Sequence, residues 1–332
     1  MQRRHLLAGA VASIALGRTR RGLTQIVAGR LNPAWPPALV MGTASPGGTY
    51  AVYGPVWGGL VARATGVSFA YRATEGPNEN ILLLDRDAIQ LGMTTMGVAR
   101  QAWEGSGEWT HGARLRSFRA LFPMYETPFH GLALARSGIA RMRDLRGRVV
   151  GIGPEGGTAG TYVPMMLPLL GIDGVRFRFG TMEDQLHELQ AGRLDATVLA
   201  AGAPIPAYLA AERNAACRLL GFTPTEIARL AATLPELSRT VLPRGIYPGL
   251  EADLPTVGMF NFAICGPDLP DDLVYTAVRV VMGDPQAMRQ AGPPASETVI
   301  ANVRRDGFLP FHPGAARYYR ERGLRLAPDL VG

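Results

Sequence analysis

The sequence has no lysine, so its 34 basic residues are all arginine, set against 27 acidic ones for a formal charge of +7. Nucleic-acid binding would require those charges gathered on one stripe or helix face. They are not: clusters such as Arg141, Arg143, Arg146 and Arg148 are local and have no interleaved aromatics, which reads as a solvated basic surface. Cysteine is nearly absent. Cys217 and Cys265 fit no metal or redox spacing and cannot make a disulfide framework; two free thiols are expected, with a single disulfide as the alternative. Histidine is also scarce. His5, His111, His130, His187 and His312 stand in no catalytic or zinc spacing, and there is no Gly-x-Ser-x-Gly elbow. His130 reads as a core residue in an apolar strand, and His187 as a solvated one beside Glu183, Asp184 and Glu188. These absences argue against an enzyme, and no cofactor is expected. Beyond residue 38 no apolar run reaches the ~20 residues that a membrane helix needs.

What is present begins with Arg3 and Arg4 ahead of a short apolar run at 6–16, the layout of a secretory signal over residues 1–30. The string Arg-Arg-His-Leu-Leu is similar to a twin-arginine export signal, with Sec export as the open alternative; periplasmic location is expected. The 41 glycines and 26 prolines, in a chain 47% hydrophobic and 18% charged, indicate an ordinary globular interior with many tight turns.

Along the chain one unit recurs: strand, glycine- or threonine-bearing turn, helix. It appears at 38–43, 44–50 and onward, at 67–84, and at 88–103; a second series starts near 137 with 149–153, 154–160 and 162–170, then 176–191 and 196–204. Residues 116–125 and 130–135 read as two further strands between the series, and 256–265 as a return strand. Such alternation predicts parallel sheets with helices on both faces, and two series predict two lobes. In open α/β sheets ligands sit outside the carboxyl ends of the strands. Helix N-termini there present free N–H groups and partial positive charge to an anion. The clearest turns of this kind are 45–50 and 155–160; 74–78, 94–95 and 202–204 are weaker copies. Neither clear turn is a P-loop, since no Gly-Lys-Ser/Thr follows. The spacing of Gly151, Gly153 and Gly156 matches the dinucleotide fingerprint only superficially, without the acidic residue that should follow ~20 positions on.

Several strings occur in an order that resembles the TAXI-type solute-binding subunits of tripartite ATP-independent periplasmic (TRAP) transporters across residues 38–326. They are Met-Gly-Thr-Ala-Ser-Pro-Gly-Gly-Thr-Tyr at 41–50, Leu-Phe-Pro-Met-Tyr-Glu at 121–126, Asp-Leu-Arg-Gly-Arg-Val-Val at 144–150, Gly-Ile-Gly-Pro-Glu-Gly-Gly-Thr at 151–158, Gly-Ile-Tyr-Pro-Gly at 245–249 and His-Pro-Gly-Ala-Ala-Arg-Tyr-Tyr at 312–319. The resemblance implies an α/β, two-lobed periplasmic-binding-protein type II fold with a ligand cleft between lobes. Lobe I would comprise 38–133 and 260–332, and lobe II 134–259. It implies capture of a small organic acid (a dicarboxylate, a 2-oxo acid or an acidic or neutral amino acid) by a monomer that delivers it to membrane permease subunits. A binding protein that docks a sensor kinase would carry the same ligand cleft. By the same resemblance lobe I supplies Ser45, Gly47, Gly48, Thr49, Tyr50, Thr74, Glu75, Thr94 and Thr95. Lobe II supplies Gly157, Thr158, Ala159, Gly202 and Pro204, and Tyr125 and Tyr247 form aromatic walls. The segment Thr-Glu-Gly-Pro-Asn at 74–78 departs from the family's usual turn, which makes Glu75 distinctive: facing the cleft it would pair with an ammonium or repel a second carboxylate, and facing solvent it would favour a helix N-terminus.

Overall fold

The computed structural model describes residues 32–332; the export signal expected at 1–30 lies outside the described residues. Each apolar run that ends at a glycine turn becomes a strand, and the amphipathic stretch after it a helix. The strands are β1 (Ala38–Gly42), β2 (Ser68–Arg72), β3 (Leu91–Thr95), β4 (Arg119–Leu134), β5 (Val149–Gly151), β6 (Arg176–Arg178), β7 (Ala196–Ala200), β8 (Cys217–Leu220), β9 (Ser238–Leu242) and β10 (Leu254–Cys265). The helices are α1 (Thr49–Thr65), α2 (Pro77–Asp85), α3 (Met96–Glu104), α4 (Thr158–Leu169), α5 (Met182–Gln190), α6 (Pro206–Asn214), α7 (Pro224–Thr233), α8 (Asp271–Gly283), α9 (Pro285–Met288) and α10 (Pro313–Glu321).

The strand order is β2-β1-β3-β10-β4-β7-β5-β6, with β8 added to β4 and β9 to β10. β1 is parallel to β2 and β3, and β5 to β6 and β7, as the repeated unit predicts. The two long strands are antiparallel to their neighbours and join the two halves. Up to Pro128, β4 is laddered to β10 in the first sheet; from Phe129 it is laddered to β7 and β8 in the second. This change of sheet falls a few residues before the boundary expected at 133/134. The separate strands expected at 116–125 and 130–135 are therefore one. Pro128 falls in the gap between them, and proline cannot donate to a ladder. Here Pro128 lies opposite Gly258 of β10, and the strand continues. Thr94 and Thr95 end β3 and lead directly into α3, as expected, with Thr95 at its N-cap position.

Helix α1 shows how the first lobe packs. Tyr50, Tyr53, Trp57 and Val61 recur at helical spacing and face inward, and Trp57 meets Phe122 of β4 edge to face at 5.4 Å. Gly66 ends the helix in the left-handed region (φ 76°), its N–H donating to the Ala62 carbonyl. The second lobe has its own apolar cluster around Leu132, Leu186, Leu199, Tyr208 and Tyr247. Among the described residues both cysteines are free, and no helix is long and apolar enough to cross a membrane.

Candidate functional site

The two Gly-Gly-Thr turns, Gly47-Gly48-Thr49 after β1 and Gly156-Gly157-Thr158 after β5, open α1 and α4 with nearly the same geometry. Gly48 caps α1 at φ −92°, ψ 160°, and Gly157 caps α4 at φ −90°, ψ 160°. Neither cap has a side chain to accept from the first helical N–H groups, and neither first turn carries an acidic residue. Some helices elsewhere in the chain are closed off, whereas α3 and α6 also lack a side-chain cap and an acidic first turn. Thr181 caps α5 and accepts from the Asp184 N–H, and Thr223 and Glu226 form a reciprocal capping box on α7. The first N–H groups of α1 and α4, without intrahelical acceptors, thus remain open together with the positive ends of both dipoles.

Both helix starts line one small inter-lobe cavity. Ser45, Gly48, Thr49 and Tyr50 border it from the first lobe, and Gly157, Thr158, Met182, Ala200 and Ala201 from the second. Tyr125 and Thr127 of β4 and Glu75 complete the lining. Its volume, as swept by the centre of a water-sized sphere, is about 30 Å3, room for about two or three waters. The cavity is small because the lobes touch. The Thr49 hydroxyl donates to the Gly202 carbonyl at 2.7 Å, and the Ala207 N–H to the Gly47 carbonyl at 3.3 Å. The Asn78 N–H donates to the Gly156 carbonyl at 3.2 Å, and the Gly156 N–H returns to Glu75 Oε2 at 2.9 Å. Thr95 and Thr158 bring their hydroxyls to 3.3 Å, and the Asn78 amide meets the Thr161 hydroxyl at 3.1 Å.

The walls are neutral. Tyr50 donates its phenol to Asn261 Oδ1 at 2.5 Å, and Asn261 Nδ2 donates to the Tyr125 carbonyl at 2.6 Å and to Thr127 Oγ1 at 2.7 Å. Burial holds the Tyr50 and Tyr125 phenols well above their ordinary range, so both remain protonated donors. Two lining hydroxyls, Ser45 Oγ and that of Tyr125, are buried without a hydrogen-bond partner among the described residues. Such groups are costly unless something completes them. No arginine lines the cavity, and Glu75 is its one carboxylate. No cluster that could hold a metal occurs among the described residues.

Residues 41–323 match the NMT1-like family. The chain belongs to that family. The NMT1-like chain also resembles solved binding proteins. An ancestral arginine-binding protein bound to arginine is 14% identical, with 77% of this chain and 96% of that one covered and a TM-score of 0.51. The GluR0 ligand-binding core from Nostoc punctiforme, in complex with L-glutamate, is 15% identical over 76% and 96% at a TM-score of 0.47. The substrate-binding protein of an amino acid ABC transporter is 14% identical over 76% and 95% at 0.46. The mixed α/β architecture is that of type II periplasmic solute-binding proteins.

In this NMT1-like protein Ser45, Gly48, Thr49, Tyr50, Glu75, Tyr125, Gly157 and Thr158 border the cavity. Gly47, Thr95 and Gly202 lie just outside it, in the contacts that hold the lobes together. Four residues are occupied elsewhere. The Thr74 hydroxyl is bonded to Asn80 Oδ1 at 2.9 Å, and that of Thr94 to the Thr95 carbonyl at 3.1 Å. Ala159 is buried in the first turn of α4, and Pro204 is outside the lining. Tyr247 is not an aromatic wall. Fully buried in the second lobe, it accepts from the Ile205 N–H at 2.7 Å and meets His130 Nε2 at 2.7 Å. Its environment was set by non-local packing, which the turn-rich segment 245–249 does not reveal. Sequence reasoning missed Asn78, Thr127, Met182 and Asn261. Only Asn261 carried a signal, as the one amide in an apolar strand.

Proposed function

We propose that this chain is the extracytoplasmic solute-binding subunit of a TAXI-type TRAP transporter, closing on a small organic acid and delivering it to a membrane permease. The observation that carries this reading is the pair of glycine-capped helix starts opening onto one cavity that also holds two buried, unpartnered hydroxyls. A ligand carboxylate there accepts from the N–H groups of α1 and α4 and from Ser45 and Tyr125, and the helix ends balance its charge without an arginine. Closure is a bend of β4 and β10, the two strands that join the halves. A ligand touching both lobes favours the closed form by its differential affinity for that form. The ordered strings at 41–50, 121–126, 151–158 and 312–319 support the transporter type, and the charged and apolar segments at the N-terminus support export to the periplasm.

A thermal-shift screen of monocarboxylates, dicarboxylates and amino acids tests the reading. One acid is expected to raise the melting temperature in a concentration-dependent way, by about 2.7 kcal/mol of apparent stability at a hundredfold excess over Kd. Ser45→Ala and Tyr125→Phe, which remove the unpartnered hydroxyls, are each expected to weaken that acid by about 3- to 10-fold. A ligand whose affinity ignores both substitutions would place binding elsewhere.

A further inference from the structure

Glu75 sits in the turn between β2 and α2. Its own N–H donates to Glu79 Oε2 at 2.7 Å. Its side chain crosses between the lobes, and Oε2 accepts from the Gly156 N–H at 2.9 Å, beside the start of α4. The approach is close: a Cβ built on Gly156 would lie 3.0 Å from Glu75 Oε2. Oε1 has no hydrogen-bond partner among the described residues, and Glu75 lines both the inner cavity and the groove outside it. That outer groove, about 520 Å3 by the same measure as the cavity, is bordered by three carboxylates, Glu75, Glu79 and Glu155, and by no arginine. Arg72 reaches Glu79 at 3.7 Å from outside the lining.

The charge balance limits what can bind. Two helix N-termini supply about half a positive charge each, enough for one carboxylate, and the unpartnered Ser45 and Tyr125 hydroxyls, 5% and 0% exposed, can complete it. A second anionic group would find no cation in the lining and would face the Glu75 carboxylate. An ammonium would find Oε1. Building on the carboxylate reading of the cleft, we propose that Glu75 determines specificity: the site takes a small zwitterion, one carboxylate with a neighbouring amino group, and rejects dicarboxylates.

Calorimetry on the chain and on Glu75→Gln, with alanine, pyruvate and succinate as probes, decides this. Glutamine keeps an oxygen for the Gly156 N–H and removes only the charge. The unaltered chain is expected to bind alanine at least about tenfold more tightly than pyruvate, and succinate more weakly still. Glu75→Gln is expected to reduce the alanine-to-pyruvate preference by about tenfold. Pyruvate or succinate binding as tightly as alanine would overturn the inference, as would an unchanged alanine-to-pyruvate ratio in Glu75→Gln; the carboxylate reading would survive both results. Absence of binding by either protein to all three probes would overturn that reading and this inference with it.

Discussion

Asn261 sits in the middle of β10 with no exposure, where neighbouring residues are Phe260 and Phe262, and one amide serves three groups: the Tyr50 hydroxyl, the Tyr125 carbonyl and Thr127 Oγ1. Asn261→Ala strands these groups in a dry interior. It is expected to cost about 3 kcal/mol or more, read as a lower midpoint in urea denaturation. His130 is equally enclosed. Burial pushes its imidazole down to about 4, against the smaller opposing effect of the Pro128 carbonyl. Below pH 6.5 the unfolded chain takes up a proton that the folded chain refuses, so this group's stability is lost as pH falls from 6.5 through about 4, an effect of about 3 kcal/mol. Nuclear magnetic resonance of the His130 ring is expected to show no titration between pH 5.5 and 7.5. Asp306 runs the other way. Burial raises its carboxyl to about 7, although Phe308 and Leu309 donate to Oδ1. The folded chain holds that proton, and the associated stability is lost as pH rises from 3.8 through about 7. Asp306→Asn is expected to flatten this slope and raise the melting temperature above pH 7. Sequence alone made His130 a core residue because it stands in an apolar strand. It gave no warning for Asp306, whose burial comes from contacts distant in the chain.

At the level of elements, the strand–turn–helix units were readable because each is specified locally: an apolar run, glycines to turn, then helical periodicity. The Gly-Gly-Thr turns were legible as open helix starts for the same reason. Their mutual approach was not, because it depends on how two lobes meet. Thr74 and Thr94 show the limit. Both have the residue type of a ligand contact, yet their hydroxyls are already used inside the first lobe. Helix α4 carries the firmest test. Gly160 packs its first turn against the preceding loop, where a Cβ would collide with the Pro154 carbonyl oxygen and lie 2.8 Å from that of Glu155. Gly160→Ala is expected to destabilise by about 1–3 kcal/mol. It should also weaken ligand binding beyond what lost stability explains, since the start of α4 must shift. Denaturation and calorimetry on the same preparation separate the two effects.

For the whole molecule, two lobes followed from two series of units, but the single long strand shared by both sheets did not. The gap around Pro128 concealed a strand of 16 residues that belongs to both sheets. Thr49→Val removes the hydroxyl that reaches Gly202 across the cleft, and is expected to raise the ligand's Kd by about 3- to 10-fold. X-ray scattering should then show a larger radius of gyration without ligand and the same compact form at saturation. The matched caps of Gly48 and Gly157 have a kinetic consequence. On the proposed reading each lobe would carry half of a bivalent grip, and a carboxylate resting on one half would meet the other at high effective concentration. Capture would then be two weak steps that reinforce each other, and release would need only one half to swing away. A permease that pries the lobes apart would turn tight retention into rapid escape without touching the ligand.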